Sequence, residues 1–573
     1  MKKSQKSKKE NNKKKSEKLS LGGRSFRFYV TEIVLPCVLF LLTLGVIFYY
    51  IIFPSVGYLH SDCTDTILWA QASYETGEWI SDAFDYAAIL PFGGNLLMLI
   101  FMPFFGYSMT THTLGMLLFA ALLYFAAIFF CRSLKMSNLW CALFSFLLFF
   151  TLSLSDKTRE IMWGHIIYYS LGVLFFLFGF GLLFRITDAQ KAATAAAEKL
   201  TPMSAIGGKR GAILHCVLAL FLLLCATNGA QSLLTLIIPI LGACFVARIL
   251  DGKKSAYLQR CVCSGVTLVI SGVATVAGLI LMKIIVGDVG SGYASAYSSY
   301  TDMSEWIDNL LMLPIHYFEL LGVDVKLYDP IVSGQSILTM IRIFGGIALL
   351  LLPFALLVRS HKNNDENKKL LCYGHFLLCV LLIYAYVCGL LSTANWRLVP
   401  LLGSCVIVSA VALFDMVGDA KLATLRRVGV LLLALVISLG GIACVTIAKM
   451  PADYGRDNSL HRLTEKLISL DEKGILPNVG YATFWNCQAV TLLSDNEIKL
   501  RGVTTDARVE KRTYQQMYEW YDEEATKDGC YLVVSDYEKY QLLGYLAAEG
   551  ADYVYTESFD GFTVYVYERN ILN

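Results

Sequence analysis

Two carboxylates three residues apart, in His60-Ser61-Asp62-Cys63-Thr64-Asp65, stand just beyond the first long apolar run of this chain. A carboxylate held where lipid meets water can accept a proton from a substrate that arrives in the membrane, and partial desolvation raises its pKa toward that task. On a helix, this spacing puts Asp62 and Asp65 on one face, so that one acts as base while the other orients it or binds an acceptor. The competing reading is structural. Asp is a favoured N-cap residue, and both would then serve only to start the helix expected near Thr66.

Everything else in the sequence bears on where that hexapeptide is held. A mean hydropathy of +0.55, with 56% hydrophobic and 16% charged residues, excludes a soluble globular chain. Apolar runs long enough to cross roughly 30 Å of hydrocarbon fall at about 28 to 52, 110 to 131, 138 to 154, 163 to 184, 211 to 226, 229 to 249, 261 to 286, 338 to 358, 371 to 391, 398 to 417 and 428 to 447, which makes eleven expected spans. Lys and Arg collect in the tail Met1 to Arg27 and in the loops 131 to 135, 185 to 210, 248 to 260, 359 to 369 and 419 to 427, so these are expected on the cytoplasmic side. The loops 53 to 109, 155 to 162, 287 to 337 and 392 to 397 then fall outside, together with everything from about 448 onward. Counting Pro91 to Tyr107 as a span would invert every later loop, so that run is expected to be a juxtamembrane or re-entrant helix. The first apolar run is too long for a cleaved signal and is expected to remain as an anchor.

These boundaries predict a polytopic α-helical membrane protein with a basic cytoplasmic tail (1–27), a transmembrane domain (28–447) carrying the external loop 53–109, and a small extracytoplasmic α/β domain (448–573). In that last segment helices are expected at 460–470, 514–526 and 537–548, and strands at 479–485, 497–503, 531–534, 552–556 and 562–568. Asp560-Gly561 marks a hairpin turn. The net charge of +2 conceals a basic excess on the inner side, suited to anionic lipid and lacking the aromatic interleaving of a nucleic-acid surface. Most of the sixteen cysteines lie in apolar runs, and their spacing resembles neither a zinc motif nor a disulfide framework. His165 and His375 are expected to find partners within the bundle.

The external loop continues through Leu68-Trp69-Ala70-Gln71-Ala72, Glu75-Thr76-Gly77 and Leu90-Pro91-Phe92-Gly93-Gly94-Asn95 to Phe105-Gly106-Tyr107-Ser108. In order and topology this resembles the GT-C superfamily of polytopic glycosyltransferases, which includes protein O-mannosyltransferases and aminoarabinose transferases. The match is firmest over 28 to 135. Asn395-Trp396-Arg397-Leu398-Val399-Pro400 is similar to the family's Arg-x-x-x-Pro pattern, although Leu398 replaces its usual Tyr and the Pro stands three residues after the Arg. Gly480 to Trp485 with Ile498 to Arg501 is similar to the C-terminal external domain of some bacterial members.

The resemblance implies a GT-C-like fold and transfer of a sugar from a polyprenyl-phosphate donor to a cell-envelope glycan, lipid or protein acceptor outside the membrane. It implies one displacement with inversion, Asp62 or Asp65 being the base. No cofactor is expected; a divalent metal is compatible with the resemblance, whose members vary in metal dependence, but is not predicted. The leaving phosphate needs cations at the outer interface: Arg397 first, then Lys157 and Arg159, then Lys283. Asn228 and Gln231, in the polar turn 227–231, would contact the sugar. Each has a bland alternative: Arg397 as an anchor beside Trp396, the lysines and Arg159 as loop pairs, the amides as turn residues, and the Tyr-rich stretch 293–300 as loop packing rather than a lid. A transporter or flippase of lipid-linked saccharides would show repeats and mid-membrane charges, which the sequence lacks. A scaffold would rest its function on the C-terminal domain alone.

Overall fold

The computed structural model describes residues 26–197, 199–250, 257–287, 289, 299–325, 330, 332–389, 393–419, 421–505, 508–521, 529–548 and 553–572. The basic tail lies outside this set except for Phe26 and Arg27, which open the first long helix, and so does most of the Tyr-rich stretch.

Among the described residues, ten helices are long and apolar enough to cross a membrane: Phe26–Ile52, Met109–Ser133, Tyr168–Ala196, Gly208–Ala226, Ala230–Leu250, Val262–Val286, Gly334–Asn363, Glu366–Val387, Asn395–Val417 and Ala423–Ala448. The chain is a multi-pass membrane protein. Tyr168–Ala196 and Asn395–Val417 are the most enclosed and form the centre of the bundle. Val262–Val286 and Phe26–Ile52 present most of their surface outward, as helices do when lipid is their solvent.

The expected span at 138 to 154 takes a different form. Helix Asn138–Thr151 has 14 residues, roughly 21 Å at 1.5 Å each and short of the hydrocarbon thickness. It then turns by 115° into the helix Asp156–Trp163. The count is ten spans, or eleven with this bent pair as one. Pro91 to Tyr107 holds only the short helices Asn95–Leu99 and Met102–Phe105, as a juxtamembrane segment requires.

Beyond the bundle, a six-stranded mixed sheet has the order β3-β2-β1-β4-β6-β5, with β1 Gly480–Thr483, β2 Leu500–Thr504, β3 Glu510–Lys511, β4 Cys530–Ser535, β5 Tyr553–Phe559 and β6 Phe562–Tyr567. β1 runs parallel to both β2 and β4; the other pairs are antiparallel. Period-two alternation along β4 sends Tyr531 and Val533 to one face, against helix Ser459–Glu472, and Leu532 and Val534 to the other. Asp560 and Gly561 both have positive φ, 46° and 80°, as the tight β5–β6 hairpin demands.

Two expectations fail in this domain. The strand expected over 479–485 ends at Thr483, where helix Phe484–Leu493 begins, because its aromatic opening mimics a strand while its later residues pack at helical spacing against β2. Of the helix expected over 514–526, the described part contains only a 3₁₀ turn, Tyr518–Tyr521. Tertiary pairing overrides the local pattern there: Tyr514 and Met517 form isolated bridges with Asp85 and Phe84 of the segment 53–109.

Sheet domain and bundle meet at several points. Tyr49 Oη donates to Met450 O at 2.5 Å, Asn458 Nδ2 donates to Gly57 O at 3.1 Å, and Trp520 Nε1 donates to Glu75 Oε2 at 2.8 Å. Gly57 makes the closest approach, since a Cβ there would lie 2.0 Å from Tyr454 O. Gly57→Ala must push the linker 451–456 away from the turn Pro54–Tyr58. It is expected to cost about 1–3 kcal/mol, measured as a lower unfolding temperature of detergent-purified protein; an unchanged transition contradicts this close packing.

Candidate active site

Helix Phe26–Ile52 passes into the 3₁₀ turn Pro54–Tyr58, an extended Leu59 and His60, and a second 3₁₀ turn, Ser61–Thr64. Helix Asp65–Thr76 follows and stops at Gly77, whose φ of 74° suits glycine. The N-cap of that helix is Thr64, with no side-chain cap hydrogen bond. Neither aspartate is therefore spent as a cap, and among the described residues neither carboxylate makes a hydrogen bond or an ion pair.

The sheet domain holds this turn in place. Ser61 Oγ donates to Phe484 O at 2.5 Å, and Thr64 Oγ1 donates to Ser61 O at 2.6 Å and toward Gln488 Oε1 at 3.4 Å. Tyr107 Oη donates to Gln488 O at 3.3 Å. The helix Phe484–Leu493 is thus the backing of the aspartate turn.

On the other side stands the limb after the 115° break. Helix Asp156–Trp163 starts with a capping box between Ser155 and Thr158. Arg159 is buried and folds back on its own turn, donating to Ser153 O at 2.8 Å and pairing with Asp156. Trp163 Nε1 donates to Ser153 Oγ at 2.8 Å. These bonds satisfy the backbone opened by the break and aim Glu160 at the aspartate turn. Glu160 Oε1 lies 3.2 Å from His60 Nε2 and 3.4 Å from His165 Nε2, and Glu160 Oε2 accepts from Lys157 Nζ at 2.6 Å. His165 Nε2 is in turn 3.4 Å from Cys63 Sγ. His165 thus sits in this cluster, ahead of the helix Tyr168–Ala196, whereas His375 meets Ser404 within the bundle as expected.

Electrostatics follow from this packing. Burial pushes the Asp65 carboxyl up to about 7; the charge of Asp62 adds to the rise and His165 opposes it. Burial also works to raise the Cys63 thiol, but His165 and His60 outweigh it and bring the thiol down to about 6. Burial disfavours charge on both imidazoles, yet Cys63 and Glu160 carry His60 up to about 11 and His165 up to about 10. Glu160, against its burial, is held well below the usual carboxylate range by the same two histidines.

Lys157 and Arg159 line an open cleft of about 730 Å³, with Asp156, Phe318, Glu319 and Arg342 among its other walls. Arg342 is the cation that sequence reasoning missed. It lies eight residues into an apolar helix, and only the fold brings it to the cleft, where its Nη1 donates to Gly322 O at 2.7 Å. Its isolation in an apolar run was the available signal. Arg397 is buried, bonded to Tyr168 Oη and 5.6 Å from the ring centroid of Tyr169. Its neighbour Trp396 lies 4.8 Å from Lys157 Nζ, so the 395–398 turn packs beside the cleft.

In the polar turn 227–231 the Asn228 amide is engaged by the backbone of Phe92. Asn228 Oδ1 accepts from Phe92 N at 2.9 Å and Asn228 Nδ2 donates to Phe92 O at 3.0 Å, so the amide clamps the loop Leu90–Asn95. Phe92 also stacks on Phe175. The backbone carbonyl of Gln231 accepts from Thr235 Oγ1 at 2.8 Å. Lys283 is exposed on Val262–Val286 and makes no ion pair among the described residues.

No family model and no curated protein matches this chain. Among solved structures it is similar to ArnT from Cupriavidus metallidurans, crystallised with undecaprenyl phosphate, at 11% identity over 93% of this chain and 97% of that one, with a TM-score of 0.48. It is also similar to the oligosaccharyltransferase of Archaeoglobus fulgidus in its apo form, at 11% identity over 90% of this chain and 71% of that one, with a TM-score of 0.43.

Asn228→Ala strands the N–H and carbonyl of Phe92 in a half-buried site. It is expected to lower stability by about 1–3 kcal/mol, detected as faster proteolysis within the external loop 53–109. Wild-type protease resistance would show that the clamp is dispensable.

Proposed function

We propose that this protein is a glycosyltransferase of the GT-C type. It transfers a sugar from a polyprenyl-phosphate donor to an extracytoplasmic glycan, lipid or protein acceptor, with Asp62 or Asp65 as base. The observation that carries this reading is the pairing of an unspent aspartate turn with a cationic cleft through one short helix. Helix Asp156–Trp163 offers Lys157 and Arg159 to the cleft, while Glu160 reaches the aspartate turn.

A sugar phosphate donor needs these two features side by side. As the glycosidic bond breaks, negative charge grows on the leaving phosphate, and Arg and Lys stabilise it by charge-assisted hydrogen bonds. Arg159 and Arg342 each keep an Nε that has no acceptor among the described residues, a cost that an incoming anion removes. On the acceptor side, a carboxylate within reach of the attacking hydroxyl takes its proton. The two aspartates are free for that task. A single displacement inverts the anomeric centre. On this reading the bundle gives the lipid access from the side, and the sheet domain holds the turn that carries the base. Arg397, buried against Tyr168 and Tyr169, steadies the edge of the cleft, with Lys283 as a peripheral anchor for lipid phosphate.

The test is turnover of radiolabelled polyprenyl-phosphate sugars by the purified protein beside Asp62→Asn and Asp65→Asn at equal folded amount. Loss of at least about 100-fold in one variant is expected; full activity in both, or a wild type that consumes no donor across a broad panel, refutes the assignment. Arg342→Gln is expected to raise the KM for donor by about tenfold or more, the effect of one charged hydrogen bond. An unchanged KM removes Arg342 from the phosphate site.

A further inference from the structure

The cluster between the aspartate turn and the broken helix contains more than the proposed reaction uses. We infer that His60, Cys63 and His165 hold a zinc ion, with Glu160 closing on it as the fourth ligand, and that this site pins the turn bearing Asp62 and Asp65 to the helix Asp156–Trp163.

Geometry comes first. Zinc bonds nitrogen at about 2.0–2.1 Å, oxygen at about 2.0–2.2 Å and sulfur at about 2.3 Å, so the corners of its tetrahedron stand roughly 3.3–3.6 Å apart. Here the two imidazole nitrogens lie 3.2 and 3.4 Å from the one Glu160 oxygen, and the sulfur lies 3.4 Å from His165 Nε2. The donor atoms of His60, Cys63 and His165 all fall within 4.8 Å of one another; Glu160 stands outside that set, against the two imidazoles, and completes the tetrahedron by a side-chain movement.

Charge and chemical type agree. A dication with one thiolate, one carboxylate and two neutral imidazoles is neutral overall, which suits a place where unpaired charge is costly. Thiolate and imidazole together favour zinc over magnesium or calcium. Lys157, bonded to the other oxygen of Glu160, holds the carboxylate in orientation, as partners of ligating carboxylates do. Side-chain exposures of 30% for His60 and 16% for Glu160 leave an entry path. Two ligands come from each of two segments about a hundred residues apart, so no spacing motif announces the site.

The four ligands are positioning residues. Cys63 lies between Asp62 and Asp65, and its bond to zinc fixes both carboxylates relative to Lys157 and Arg159. The site does not depend on the sugar-transfer reading.

The test uses full-length protein purified in detergent without added metal. Elemental analysis is expected to find about one zinc per chain. Cobalt taken up after chelator stripping is expected to give a near-ultraviolet thiolate charge-transfer band with intense tetrahedral visible bands. Cys63→Ser is expected to lose the charge-transfer band, and His165→Ala to weaken metal affinity by about tenfold or more, each confirmed folded by circular dichroism and size exclusion. Asp62→Asn keeps its zinc, which separates failure of the transferase reading from failure of this one. Wild-type protein that holds no zinc and gives no cobalt spectrum overturns the site in favour of a metal-free thiolate–imidazolium network. Zinc retained in full by the Cys63→Ser, His165→Ala double variant also overturns it, because the metal then lies elsewhere.

Discussion

Polar side chains at the mouth of an apolar bundle must find partners, because a buried donor or acceptor left unpaired costs about 1–3 kcal/mol. In this protein that requirement is met around Glu160. One of its oxygens meets His60 and His165 and the other meets Lys157, so a single carboxylate ties the first external turn to the limb beyond the broken helix. Ser61 and Thr64 complete the tie from the opposite side through Phe484 and Gln488 of the sheet domain. Among the described residues, the carboxylates of Asp62 and Asp65 keep no hydrogen-bond partner, and neither do His60 Nδ1 and Thr66 Oγ1 beside them.

The 115° break after Thr151 is what makes this arrangement possible. A straight helix would carry Lys157, Arg159 and Glu160 away from the aspartate turn. The bend instead lays Asp156–Trp163 between that turn and the cleft, and it is held by hydrogen bonds within the break itself: Arg159 and Trp163 to Ser153, and Ser155 with Thr158. The same short helix therefore serves both halves of the proposed reaction.

The sheet domain is structural in the literal sense. Residues Tyr514 and Met517 bridge to the external loop, Trp520 bonds Glu75, and Phe484–Leu493 backs the aspartate turn. A domain attached only by its linker would leave the turn open to water on one side. This one closes it.

Composition and hydropathy alone determined that the chain crosses the membrane many times, and ten of the eleven expected spans are long helices at the expected places, because a run of about 20 apolar residues has no other stable home than hydrocarbon. The sheet domain's short apolar strands and its Asp560-Gly561 hairpin were equally legible, since a short apolar run bounded by turn residues and a positive φ are local demands. The aspartates were visible as candidates because charge beside an apolar run is costly. Only the tertiary structure decided that they are not caps, that Asn228 clamps Phe92, that Arg342 joins Lys157 and Arg159, and that His60, Cys63, Glu160 and His165 meet. The helix at Phe484 and the break at Thr151 were hidden for the same reason. Contacts between segments far apart in the chain carry no period or spacing, and their energy appears only when distant surfaces close on one another.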